Sequence, residues 1–162
     1  MFASLLETDH REIDEIYRDA VDALWSGKPT SAFEKVDLLW ARLAVHIRAE
    51  HLRLFPAVPA TRRYEAIVEL LRRDHNEFMT SLAEAVNLLR EPTSDADLKE
   101  ARQIVIRLGN RLAEHNRLEE ETVYRDAGGD LTHEGRSQLI RAIEKEVRNL
   151  PRRFGGDRTA AT

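Results

Sequence analysis

The nine residues RLAVHIRAE at positions 42–50 return at 111–119 as RLAEHNRLE, with Arg, Leu, Ala, His, Arg and Glu in register. A second pair, LLETDHREI at 5–13 and LLRRDHNEF at 70–78, matches in the same way. Repetition of this kind means one supersecondary unit used twice. Each copy supplies one helix with an Asp-His step and one with a His-x-x-x-Glu step. Helical positions i, i+3, i+4 and i+7 share a face, so His46 and Glu50 fall on the stripe of Leu39, Leu43 and Leu54 that should be buried. A carboxylate taken out of water is costly unless a partner or a metal compensates it. Such a chain must fold so that its buried polar groups meet.

Four long amphipathic segments supply the frame. The first is predicted from about Ser4 to Trp25, with Ser4 and Glu7 as a capping box, and ends at SGKPT. The second starts at Ser31, with Glu34 three residues on, and stops near Pro56. The third covers about Thr61 to Arg90, before EPTSD, and the fourth about Ser94 to Asp126, ending at GGD. Short loops between helices of similar length predict an all-α, antiparallel up-down-up-down four-helix bundle over residues 1–128. Beyond it, THEGRSQLIRAIEKEVRNL carries Leu139, Ile140, Ile143, Val147 and Leu150 on one side. A short additional C-terminal helix is therefore expected over 129–153, packed on the bundle or on a partner such as a second copy. Residues 154–162 are small, polar and Gly-containing, and are expected to be disordered.

Composition narrows the chemistry. The chain of 162 residues is long enough for one self-sufficient core. Its charged fraction of 33% and aromatic fraction of 6% suit helices rather than a sandwich or barrel. A net charge of -4 gives no reason to expect nucleic acid as a partner. The absence of cysteine removes disulfides, thiolate catalysis, iron-sulfur clusters and Cys-ligated zinc. The opening segment is charged from Glu7 onward, with no long apolar run, so neither a signal peptide nor a membrane span is expected and the cytoplasm is the default.

Four of the six histidines and two glutamates reach the inner stripes of four helices: His10, His46, Glu50, His75, His115 and Glu119. At 1.5 Å per residue, His10 sits roughly 10 Å from the start of its helix, and the two His-Glu pairs roughly 8 to 15 Å from the ends of theirs, which is one level in an antiparallel bundle. His75 comes out higher, at roughly 20 Å. Imidazole and carboxylate together suit iron, although zinc or manganese could use the same donors. Two half-sites facing each other make a two-metal centre, with Glu50 and Glu119 as its bridging carboxylates. Ferritin-like bundles use Glu-x-x-His and zinc proteases H-E-x-x-H; neither pattern is present. The rival is a metal-free polar network, which has to pair every buried group at once.

His10, HIRAE at 46–50, DH at 74–75 and HNRLE at 115–119, in that order, resemble the hemerythrin-like HHE cation-binding domains, and HIRAEHLRLFP is particularly characteristic. The resemblance covers about residues 3–126. It implies a four-helix bundle with two non-haem iron ions, bridged by carboxylates and an oxo or hydroxo group, and ligated by His10, His46, Glu50, His75, His115 and Glu119. Oxygen-carrying hemerythrins differ by a second helix-three histidine where this chain has Met79, and by a longer His-to-Asp spacing on helix four. Fewer imidazoles leave an open iron position, which favours reactivity over reversible carriage. Iron-cluster repair proteins of the superfamily share the four-histidine, two-glutamate set but usually carry a cysteine-bearing module, absent here. The expected partner is a small diatomic or peroxide ligand, in sensing or in oxidative or nitrosative stress defence. A peroxide- or nitric-oxide-removing enzyme is the alternative, and an iron-storing or iron-sensing module the third reading.

The remaining polar residues have plainer readings. His51 is displaced by about 140° from His46 on a helical wheel and belongs at an interface or on the surface, with a role as a ligand or in support of one as the alternative; His133 belongs on the surface. Asp9 and Asp74 read as solvated, with orientation of a neighbouring helix's histidine as the alternative. Tyr17, Tyr64 and Phe78 read as core, and Arg62, Arg63, Arg72 and Arg73 as a solvated face. Glu120 and Glu121 read as solvent-facing, each able to replace Glu119 if the helix phase shifts by one.

Overall fold

The computed structural model describes residues 2–149 and 153–156, and among them all regular structure is helical. Helix α1 is Phe2–Trp25, α2 Pro29–Ala49, α3 Arg62–Leu88, α4 Asp95–Glu121, α5 Val123–Asp126 and α6 His133–Val147. Helix α1 packs on α2 and α4, and α3 packs on α4 and α2, while α6 lies across α1 and α2. No helix among the described residues is long and apolar enough to cross a membrane.

The helix starts follow local chemistry, with two corrections. Thr61 caps α3 by accepting from the backbone of Tyr64, and Ser94 forms a capping box with Asp97 in both directions. Ser4 and Ser31 do not cap. Helix α1 is already running at Phe2, and α2 starts two residues early because Pro29 sits in its first turn, where a missing N–H costs nothing.

The helix ends depart further from expectation. Past Ala49 the second helix widens into a π-turn, Glu50–Leu54, and tightens into a 3-10 turn, Phe55–Ala57. The fourth helix stops at Glu121 rather than running to Asp126. Thr122 breaks it with φ -125° and ψ -86°, and its hydroxyl turns back to the carbonyl of Leu118. The extra turns after Glu50 also explain the height of His75. Seven further residues of π- and 3-10 turn, 51–57, follow Glu50 before α3 starts, so α3 holds a longer stretch ahead of His75.

Two apolar clusters sandwich the polar level. The larger includes Ile13, Leu43, Ile47, Phe78 and Leu112. The other includes Leu6, Leu54, Leu71, Val123, Ile143 and Val147, so α6 buries its apolar side on the bundle. On each of the four long segments, the histidine comes between a residue of one cluster and a residue of the other. Met79 packs against the larger cluster.

Part of the segment expected to be disordered is seated instead. The ring of Phe154 lies 5.1 Å from that of Trp40, and the backbone N–H of Gly155 donates to buried Asp37 at 2.8 Å. A Cβ on Gly155 would fall 2.6 Å from Phe33, so only glycine fits there. Residues 157–162 lie outside the described residues.

Candidate metal centre

All six candidate residues are buried and meet at one level. The inward Nε2 atoms form two pairs, His10 with His46 at 3.1 Å and His75 with His115 at 2.9 Å. Glu50 Oε1 lies 3.2 Å from His46 Nε2 and 3.5 Å from His75 Nε2, so this carboxylate reaches both pairs. Glu119 Oε1 lies beside His115 and 3.9 Å from His75, both members of the second pair. It completes a three-donor cluster with His10 and His46, and another with His75 and His115.

The outward nitrogens explain how the rings are held. His46 Nδ1 donates to Asp9 at 2.7 Å, His115 Nδ1 to Asp74 at 3.0 Å, and His10 Nδ1 to Glu120 at 3.0 Å. A neutral imidazole that donates outward presents a lone pair inward. The aspartates are themselves fixed: Arg42 donates to Asp9 at 2.7 Å, and Arg111 to Asp74 at 3.0 Å. These arginines open the repeated RLA step, so the repeat encodes the support as well as the inward groups.

The electrostatics ask for a cation. Burial, then the neighbouring histidines, pushes His10 and His75 down to about 3, which keeps both rings neutral. Burial likewise lowers His115. Burial works against charge on His46 and Glu50 too, yet their mutual attraction wins, with Asp9 helping His46. His46 is held up at about 10 and Glu50 down at about 2. Glu50 Oε1 and both oxygens of Glu119 have no hydrogen-bond partner although Glu119 is 0% exposed. An unpartnered buried carboxylate is untenable without positive charge beside it. Imidazole lone pairs and carboxylate oxygens facing one point are the donor set of a borderline metal such as iron, manganese or zinc, so the residues fit a metal.

The family model for the hemerythrin HHE cation binding domain matches residues 1–127. The chain belongs to the hemerythrin HHE family. No curated protein and no solved structure matches it.

Three residues of this HHE domain meet the centre in ways the stripe pattern missed. Tyr124, fully buried, places its hydroxyl 2.8 Å from His10 Nε2, 3.2 Å from His46 Nε2 and 3.0 Å from Glu50 Oε2. Burial and the charge of Glu50 hold that hydroxyl protonated well above its ordinary range, a balance a bound cation reverses. On an unbroken helix, five residues past Glu119 is about 140° away from it; the break at Thr122 brings Tyr124 inward. His51 is half-buried and lies 2.8 Å from His75 Nδ1, and Arg72 donates to its other nitrogen at 3.3 Å. Glu120, expected in solvent, holds His10. The readable signal was the repeat itself, extended past position 50: it aligns His51 with Glu120 and Phe55 with Tyr124.

The bland expectations divide. Phe78 packs edge-on against His115 at 5.1 Å, and Tyr64 is core with its hydroxyl on Asp126. Tyr17 is only half-buried, its ring lying over Gly109, where a Cβ would not fit. His133 is exposed as expected. Asp9 is 5% exposed and Asp74 half-buried, so neither is a solvated residue.

Proposed function

We propose that this chain is a non-haem di-iron protein that binds a small ligand, dioxygen, nitric oxide or peroxide, in sensing or in oxidative or nitrosative stress defence. The four long helices run up, down, up and down, and His10, His46, Glu50, His75, His115 and Glu119 would hold the two ions, with each glutamate placed to serve both His pairs. The observation that carries this reading is the convergence of four inward imidazole nitrogens on two buried carboxylates, three of whose four oxygens have no hydrogen-bond partner. Iron, when bound, supplies redox change and a position for an exogenous ligand.

The chain's own residues do the rest. Asp9, Asp74 and Glu120 hold three rings in the donor orientation. The two apolar clusters keep bulk water from the polar level. A groove of about 350 Å³ between α1 and α4 has His10 and Glu120 in its wall. Met79 offers no imidazole, in keeping with reactivity rather than carriage.

The test is metal content per chain after aerobic purification without added metal, with an optical spectrum before and after peroxide or nitric oxide. Close to two irons and near-ultraviolet oxo-bridge absorption are expected. A spectral change that saturates at one ligand per site supports binding or sensing; sustained oxygen evolution from peroxide moves the reading to an enzyme. A folded chain that takes up no iron sinks it.

A further inference from the structure

The two hairpins repeat each other with an offset that carries 42–50 onto 111–119, and the same offset carries His51 onto Glu120 and Phe55 onto Tyr124. In space the aligned residues do the same two jobs. His51 and Glu120 each hold the outward nitrogen of a histidine from the opposite hairpin, His75 at 2.8 Å and His10 at 3.0 Å. Phe55 and Tyr124 each lay a ring over that same histidine, at centroid distances of 6.0 Å and 5.2 Å. The halves share one plan. They differ in chemistry at both positions: imidazole against carboxylate, and phenyl against phenol.

We propose that Tyr124 is a metal-binding residue and that the two halves of the centre are unequal. Its oxygen completes and closes the His10/His46 half, which leaves the open position in the His75/His115 half, on the side of Phe55. This deepens the two-metal reading and rests on it. Donor atoms about 2.1 Å from one ion and at right angles to each other are about 3.0 Å apart. The hydroxyl of Tyr124 stands at 2.8, 3.2 and 3.0 Å from His10 Nε2, His46 Nε2 and Glu50 Oε2, the spacing of neighbouring ligands.

The outward sides of the two halves differ as well. His10 and His46 donate outward to the carboxylates of Glu120 and Asp9. The other half is backed differently. Arg72 can only donate, so His51 accepts at Nδ1 and donates from Nε2 to His75, whose own proton then faces His115 at 2.9 Å. Loading that half requires these protons to move and Arg72 to turn aside.

The experiment is an anaerobic titration of the full chain with cobalt(II), together with the visible and resonance Raman spectra of the iron-loaded ferric protein. Two unequal binding steps are expected, with a phenolate-to-iron charge-transfer band that enhances tyrosine ring vibrations. Tyr124→Phe, which installs the residue its repeat partner already has, should abolish the band and weaken the first step on the order of ten-fold or more. The reciprocal Phe55→Tyr should strengthen the second step and add to the band, so the proposal stays testable even if Tyr124→Phe does not fold. Two equal steps, or an iron-loaded wild type with no tyrosinate band, would overturn the proposal while leaving the two-metal reading intact. Failure to bind any cobalt or iron would overturn both.

Discussion

Arg42 donates to Asp9, Asp9 accepts from His46, and His46 turns its other nitrogen inward; Arg111, Asp74 and His115 repeat the chain of contacts on the second hairpin. Asp9→Asn keeps the shape and removes the charge, so metal affinity should fall on the order of 10- to 100-fold with helicity unchanged. A chelator competition alongside circular dichroism checks this. Glu119→Gln should act with opposite signs on two properties. It replaces a buried carboxylate that has no hydrogen-bond partner, so the metal-free protein should gain on the order of 1–3 kcal/mol while metal retention drops. Melting curves with and without chelator separate the two effects. At this scale the six inward residues were legible because a polar group in an apolar stripe breaks a simple period. Asp9 and Asp74 were legible only as an alternative, since their partners lie on another helix. Tyr124 was not legible from period at all, because the break at Thr122 resets the phase.

The caps at Thr61 and Ser94 could be read from sequence because a cap is settled within four residues. Ser94→Ala removes the capping box of α4 and should cost about 1 kcal/mol, read as a shift in the urea midpoint with the slope unchanged. Ser31→Ala should cost nothing comparable, since α2 has already begun at Pro29. The π-turn at Glu50–Leu54 has no such local signature. In it the N–H of Phe55 bonds to the carbonyl of Glu50, which stacks residue 55 over residue 50. On the other hairpin a break at Thr122 brings the aligned Tyr124 inward instead. One requirement is met by two backbone solutions, and the requirement comes from the facing helices, beyond the reach of local propensity.

At the scale of the molecule, the all-helical class could be read from amphipathic period and breaker spacing. The seat of Phe154 and Gly155 could not, because a small, polar, glycine-containing segment has no period to read. Gly155→Ala should force its Cβ into Phe33 and Val86 and unseat the segment. Tryptophan emission should shift to the red as Trp40 loses the ring of Phe154, and an unchanged spectrum would count against the seat. The cross-hairpin construction of the centre carries a consequence for synthesis. Both three-donor clusters include Glu119, and His10 is held by Glu120, so the first hairpin alone assembles neither cluster. On the proposed reading, a nascent chain leaves the ribosome with His10, His46 and Glu50 in place but acquires its ions only after α4 has emerged. Translation products that stop short of it carry bare ligands and no metal.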